Sequence, residues 1–171
     1  MNLKQIKMVI MDVDGVLTDG RIHIDCKGNE TQVFDVYDGS GIVYLKRCGI
    51  ITAIISGRKI KATLYRAKQV GIAEIHQDVQ RKQDVLPGIL RKYKISARDV
   101  CYVGDDLMDI PIMKRVGFPV AVQNARPEVK QHAKYVTKRA GGDGAIRELA
   151  EKILKAQGKW KEIILPRYEN A

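Results

Sequence analysis

The chain has 171 residues, enough for one domain of ordinary size, and its 45% hydrophobic content supports a packed core and argues against disorder. No apolar run approaches the ~20 residues needed to cross a bilayer. Asp12 and Asp14 also interrupt what could have been a signal-peptide core, so a soluble cytoplasmic protein with no membrane partner is expected. The formal net charge of +10 is spread along the chain, with 6% aromatic residues and no basic–aromatic interleaving. This speaks against nucleic acid as a partner, and for solubility or the attraction of anionic small molecules.

Residues 6–11 form an apolar run that reads as a buried strand in the middle of a parallel sheet. Asp12 and Asp14 stand at its carboxyl end. Side chains alternate along an extended segment, so the two acids diverge and a backbone carbonyl lies between them. Such a pair can hold a hard cation through a carboxylate and a carbonyl oxygen, leaving the second carboxylate for proton transfer. A plain acidic turn is the alternative.

Residues 20–35 alternate in polarity on either side of Cys26-Lys27-Gly28-Asn29, the pattern of a β-hairpin with a Gly-Asn turn. A helix is expected over about 38–48, with Ile42, Val43 and Leu45 inward and Gly49 closing it. A second buried strand, 50–55, ends at Ser56-Gly57-Arg58, and a basic helix follows over about 59–70. After a short strand at 74–77, a helix covers 82–94, with Pro87 in its first turns or at a kink. Strand 100–103 ends at Gly104-Asp105-Asp106 and leads into helix 109–116. Strand 118–122 contains Pro119 and is placed near the sheet edge, because proline lacks a ladder donor. A short helix (127–133), a short strand (135–137) and a helix over about 145–156 complete the domain. Residues 158–171 read as a tail with an apolar patch at Trp160 and Ile163-Ile164-Leu165.

Strands alternating with helices predict an α/β fold: a Rossmann-like, mostly parallel sheet with helices on both faces and a hairpin inserted after the first strand. One domain over 1–157 and a tail over 158–171 are expected. The about forty residues from Asp14 to Ser56 are used by the hairpin and one helix, leaving no room for a separate cap domain. Cys26, Cys48 and Cys101 are odd in number and lack CxxC spacing, which argues against a structural disulfide or a cysteine zinc site.

Three strands end in residues of chemical interest: Asp12/Asp14, Ser56/Arg58 and Asp105/Asp106. Ligands of open α/β sheets bind beyond the carboxyl ends of the strands, and Lys82, at a helix start, can reach the same rim. Each residue has a plain reading: Ser56 as a helix cap, Arg58, Arg66 and Lys82 as surface charges, Asp105 and Asp106 as caps favoured by the helix dipole. Those readings leave unexplained why all of them fall at strand ends with the polarities that phosphoryl chemistry needs.

In order, Asp12-Val13-Asp14-Gly15-Val16-Leu17-Thr18, Ser56-Gly57-Arg58, Lys82 and Gly104-Asp105-Asp106-Leu107-Met108-Asp109 resemble the four motifs of the haloacid dehalogenase superfamily phosphatases. The hairpin, Asp38-Gly39 and residues 140–148 extend the resemblance, over nearly the full length, to the 3-deoxy-D-manno-octulosonate 8-phosphate phosphatases. That resemblance implies a Mg²⁺-dependent phosphoric monoester hydrolase of lipopolysaccharide precursor synthesis. Asp12 would be the nucleophile that forms an aspartyl-phosphate, and Asp14 the acid and base. Mg²⁺ would be held by the Asp12 carboxylate, the Asp14 carbonyl and Asp105, and the phosphoryl oxygens by Ser56 and Lys82. Asp106 and Asp109 would orient the metal shell or Lys82. Asp35, Val36, Tyr37, Asp38, Gly39, Arg58 and Arg66 would contact the phosphorylated sugar acid, with Arg suited to its planar carboxylate. A homotetramer is also implied, in which hairpins associate and neighbouring subunits close each site, and the apolar tail patch could dock on a neighbour in the same way. The chain departs from the family in carrying Tyr37 and Val43 where arginines are found, which leaves a related nine-carbon sugar acid phosphate as an alternative substrate.

Two non-enzyme classes compete. A phosphotransfer receiver domain shares the acidic pocket, hydroxyl, lysine and Mg²⁺, but has its paired acids on the first strand and its phosphorylated aspartate on a middle one, the reverse of the order here. A basic binding module rests on net charge alone and predicts salt-dependent binding without turnover.

Overall fold

The structure is a computed structural model that describes residues 3–169, so positions 1–2 of the expected domain and 170–171 of the expected tail lie outside the described residues. Its strands are β1 (Met8–Met11), β2 (His23–Ile24), β3 (Glu30–Thr31), β4 (Ile51–Ile55), β5 (Glu74–His76), β6 (Val100–Gly104), β7 (Phe118–Ala121) and β8 (Tyr135–Val136). Six of them form one parallel sheet in the order β5-β4-β1-β6-β7-β8, while β2 and β3 pair antiparallel as the hairpin. The helices are α1 (Val36–Arg47), α2 (Lys61–Val70), α3 (Leu86–Tyr93), α4 (Ile110–Met113), α5 (Pro127–Lys130), α6 (Ala145–Ala156) and α7 (Pro166–Glu169). This is the expected Rossmann-like α/β fold. β1 and β6 are buried along their whole length, as their unbroken apolar runs require of strands covered on both faces.

Several boundaries move for identifiable reasons. α1 begins two residues early because Asp35, read as the end of the hairpin, is its N-cap and accepts from the Asp38 amide at 2.8 Å. The hairpin ladder is only two residues long on each side, and its turn is held by Asp25, whose carboxylate accepts from the Lys27 and Asn29 amides and the Asn29 side chain at 2.8 Å each. The 82–94 helix divides into a 3-10 turn at Lys82–Asp84 and α3, with Pro87 in the first turn of α3. β7 lies one strand in from the edge, as expected near it, and pairs with both β6 and β8. The Pro119 carbonyl accepts from the Lys134 amide, so the nitrogen of Pro119 faces the β8 side just before that pairing begins at Val120, and no ladder bond is lost.

Residues 160–164 form a wide helical turn followed by α7, and this segment packs on its own chain. Ile164 is buried, Trp160 meets the Tyr44 ring edge-on at 5.9 Å, and Lys159 Nζ donates to the Cys48 carbonyl at 2.8 Å. The Arg147 guanidinium lies 4.8 Å from the Tyr44 ring centre and 5.6 Å from that of Trp160, joining α6, α1 and the tail.

The α1–α6 crossing fixes the loop that precedes α6. It depends on Gly41, where an added Cβ would lie 2.9 Å from the Arg147 Cα and 3.3 Å from the Ala150 Cβ. Gly88, in α3, has nothing within 4 Å of such an atom. Gly41→Ala is therefore expected to cost about 1–3 kcal/mol through overpacking, whereas Gly88→Ala stabilises by about 0.5–1 kcal/mol through helix propensity. Denaturant unfolding of the two variants checks the opposite signs.

Candidate active site

Strand register brings the distant motifs together. Met11 lies level with Ile54 on β4 and Val103 on β6, so Asp12, Ser56 and Asp105 emerge from three adjacent strand ends. The loop after β1 is tight: the Leu17 and Thr18 amides both donate to the Val13 carbonyl, and Thr18 Oγ1 accepts from the Gly15 and Gly20 amides at 3.3 and 3.2 Å. Gly15 has φ +80°, and a Cβ there would strike the Asp105 carboxylate at 2.1 Å, so only glycine lets the first and fourth motifs approach. Asn124, in the loop after β7, clasps this region by donating to the Gly15 carbonyl at 3.0 Å and accepting from the Gly141 amide at 2.6 Å.

Lys82 is the one buried cation of the site. Its Nζ lies 2.5 Å from Asp12 Oδ2 and 2.8 Å from Asp109 Oδ1. Burial works against its charge, but Asp12 and Asp109 outweigh this and the net shift of its pKa is upward. Asp109 is fully buried and saturated: Oδ1 also accepts from Tyr102 at 2.6 Å, and Oδ2 from the amides of Asp105 and Asp106 at 2.8 and 3.2 Å. Burial, then the charge of Asp109, holds the Tyr102 hydroxyl well above its ordinary pKa, so it remains a donor. Asp109 thus orients Lys82 and the β6 turn, one of its two expected roles. Asp106 turns outward and caps the 107–109 turn by accepting from the Leu107 amide.

The cluster carries more negative than positive charge. Burial, then repulsion from Asp109, raises the Asp12 pKa to about 7 despite Lys82 and the Val13 amide. Burial, then Asp12 and Asp109, raises Asp105 to about 8. Asp105 Oδ1 is buried with no hydrogen-bond partner among the described residues. Oxygens of Asp12, Asp105 and Asp109 lie within 4.8 Å of one another. An orphaned hard oxygen inside a carboxylate cluster with too little positive charge fits a divalent cation. Both Asp109 oxygens already accept hydrogen bonds, and those of Asp12 meet the Val13 amide and Lys82, so Asp105 is the acid of this cluster with an oxygen free to ligate, and Asp12 lies beside it.

Asp14 lies outside this cluster, on the hairpin side. Its Oδ1 accepts from Gln32 Nε2 at 3.0 Å and lies 3.4 Å from Arg58 Nη1. Arg58 Nη2 is in turn gripped by both Glu30 oxygens, at 2.8 and 2.6 Å. Ser56 is buried and does not cap α2, whose N-cap is Ile60; its Oγ accepts from the Arg58 amide at 3.1 Å, leaving its hydroxyl proton free to donate.

The 35–39 segment divides. Val36 and Tyr37 are exposed, and Tyr37 lines an open depression of about 540 Å³ with Asp35, Lys138, Arg139 and Arg147. Asp38 is buried and accepts from the Gly144 and Arg147 amides at 3.3 and 2.9 Å, capping α6; burial lifts its pKa to about 6. Gly39 is buried under Arg66, which donates to the Asp35 carbonyl at 3.0 Å and to Gln69 at 2.8 Å. Asp38, Gly39 and Arg66 therefore brace the rim. Glu30, Gln32, Tyr102 and Asn124 escaped the sequence reading. Asn124 follows a strand end and Glu30 and Gln32 alternate along the hairpin, so all three positions carried a signal; Tyr102 looked like core.

Comparison with known proteins agrees with this geometry. The haloacid dehalogenase-like hydrolase family matches residues 59–149. The 3-deoxy-D-manno-octulosonate 8-phosphate phosphatase KdsC of Escherichia coli K12 is 43% identical over 159 residues, covering 93% of this chain and 85% of its own. The corresponding phosphatase of Moraxella catarrhalis, solved in complex with magnesium ion, phosphate ion and KDO, superposes with a TM-score of 0.94 at 40% identity, covering 97% of this chain and 95% of that one. The cobalt-bound deoxy-D-mannose-octulosonate 8-phosphate phosphatase of Haemophilus influenzae superposes with a TM-score of 0.93 at 34% identity over 100% of both chains. With its strand-end acids, buried lysine and hairpin in place over that whole length, the chain belongs to the haloacid dehalogenase-like hydrolases, in the family of 3-deoxy-D-manno-octulosonate 8-phosphate phosphatases.

Proposed function

We propose that this chain is a Mg²⁺-dependent phosphatase that hydrolyses 3-deoxy-D-manno-octulosonate 8-phosphate to the free sugar acid and phosphate, in the cytoplasm, as a step of lipopolysaccharide precursor synthesis. The observation that carries the reading is the Asp12–Lys82–Asp109 chain beside the unpartnered oxygen of Asp105.

Asp12 is the nucleophile. One of its oxygens bonds to phosphorus as the bond from phosphorus to the sugar oxygen breaks, which divides one difficult transfer into two easier ones. Asp14 gives its proton to the departing sugar oxygen. It then takes a proton from the water that attacks the aspartyl-phosphate, releasing phosphate and restoring the Asp12 carboxylate. Lys82 and the free Ser56 hydroxyl proton hold the phosphoryl oxygens, and Asp109 keeps Lys82 charged and aimed. Mg²⁺, held by the Asp12 carboxylate, the Asp14 carbonyl and Asp105, supplies the positive charge that offsets repulsion between nucleophile and phosphate. Arg58 takes the sugar carboxylate, with Asp35, Val36 and Tyr37 at the lip.

The active assembly is a homotetramer. Among the described residues no cap domain covers the site, and transfer to and from Asp12 benefits from limited water access. The hairpin and the start of α1 expose Ile22, Ile24, Val33, Val36 and Tyr37, and a two-stranded ribbon is marginal alone. Self-association of hairpins would cover this surface and bring a neighbour over each site.

Phosphate release should be measured on a panel of eight- and nine-carbon phosphorylated sugar acids, with Mg²⁺ and with chelator. Turnover is expected with Mg²⁺ and highest on the octulosonate; absence of Mg²⁺-dependent release on every member would remove the enzyme reading. Asp12→Asn is expected to lower kcat by more than about a thousandfold with the melting temperature retained, and a near wild-type rate would refute the nucleophile. Light scattering should give a tetramer mass for the wild type and a smaller species for Ile24→Glu. A wild-type monomer at assay concentration would defeat the shared-lid reading.

A further inference from the structure

The return strand of the hairpin has two chemically different faces. Glu30, Gln32 and Phe34 are partly covered, while Thr31 and Val33 are exposed. This is the period of an extended chain, and it places residues 30, 32 and 34 on one face. Phe34 packs against the core, so that face looks inward at the site.

Gln32 sits between two partners. Its Nε2 is 3.0 Å from Asp14 Oδ1, and its Oε1 is 2.6 Å from Thr63 Oγ1 on α2. Asp14 Oδ1 accepts here whether or not Oδ2 carries a proton, so the amide presents its NH₂ group to Asp14 and its oxygen to the Thr63 hydroxyl. Thr63 is buried and cannot swing away. The other polar side chain near Asp14 holds it less well. Arg58 reaches the same oxygen only at 3.4 Å, and its second nitrogen is committed to Glu30.

We infer that Gln32, backed by Thr63, is a positioning residue for Asp14: it engages Oδ1 and thereby leaves Oδ2 to carry the proton to the leaving sugar oxygen. The inference rests on the acid/base role proposed for Asp14. It gives the hairpin a part in chemistry besides covering the site, because the strand that meets a neighbouring subunit on one face would orient the proton donor with the other.

Proton delivery matters for a sugar alkoxide and hardly at all for para-nitrophenolate, which leaves as a stable anion. The value of kcat/KM reports the steps up to the first P–O cleavage, so the ratio of kcat/KM on the phosphorylated sugar acid to that on para-nitrophenyl phosphate isolates the donor. Gln32→Met keeps the length of the side chain and removes both polar ends. It is expected to lower this ratio about tenfold, a part of the ~10²–10⁴ that a general acid contributes. Thr63→Val should lower the ratio in the same direction, and Thr63→Ser, which keeps the hydroxyl, should retain it. Asp14→Asn serves as the reference and should lower it further. If Asp14→Asn lowers the ratio and Gln32→Met does not, the positioning role is wrong while the Asp14 assignment stands. If Asp14→Asn leaves the ratio unchanged, the assignment itself falls and the inference with it. An equal fall on both substrates, accompanied by a lower melting temperature, would show Gln32 to be merely structural and would overturn the inference.

Discussion

The buried ammonium of Lys82 holds the site together. It lies between Asp12 and Asp109, and Asp109 in turn gathers Tyr102 and the amides of Asp105 and Asp106. One lysine thereby ties the start of the 82–84 turn to the ends of β1 and β6. Removing such a partner from a buried cluster leaves uncompensated charge, which is far costlier than the pair itself is stabilising. Even with Lys82 present the cluster is over-supplied with carboxylates, and burial together with that excess holds the pKa values of Asp12 and Asp105 up. The imbalance makes sense as preparation for a cation and a phosphate, at some expense to the stability of the empty site.

The parallel sheet makes this arrangement available. β1 is central, and its neighbours β4 and β6 run in the same direction and register, so three chain segments far apart in sequence present their carboxyl ends side by side. Small contacts then set the spacing. Gly15 admits the Asp105 carboxylate, and the Asn124 amide staples the first loop to Gly141. The site is therefore built on rigid strand ends and braced by side-chain hydrogen bonds, which suits chemistry that depends on positioning.

The hairpin and the C-terminal segment resolve differently. The hairpin's inner face is taken up by Arg58, Asp14 and Thr63, while its outer face remains apolar and exposed. The C-terminal segment spends its apolar residues at home, with Trp160 and Ile164 against α1 and the core. Of the two surfaces that the sequence offered to a neighbour, the hairpin keeps its larger side chains in solvent.

Sequence alone determined the architecture and pointed to the candidate reactive groups. Mostly apolar runs marked β1, β4 and β6, and polar residues at their ends marked Asp12, Asp14, Ser56 and Asp105, because strand burial and strand termination are local patterns. It could not say which acid would be free. Asp105 and Asp109 look alike in the chain, yet four donors from three segments saturate Asp109 while one oxygen of Asp105 has none among the described residues. Nor could it show that Asp38 faces α6, that Glu30 grips Arg58, that Gln32 reaches Asp14, or that the tail folds back onto α1. Each of these is a contact between residues distant in sequence. Such contacts are settled by tertiary packing, since local periodicity fixes the face on which a side chain lies and not the partner that face will meet.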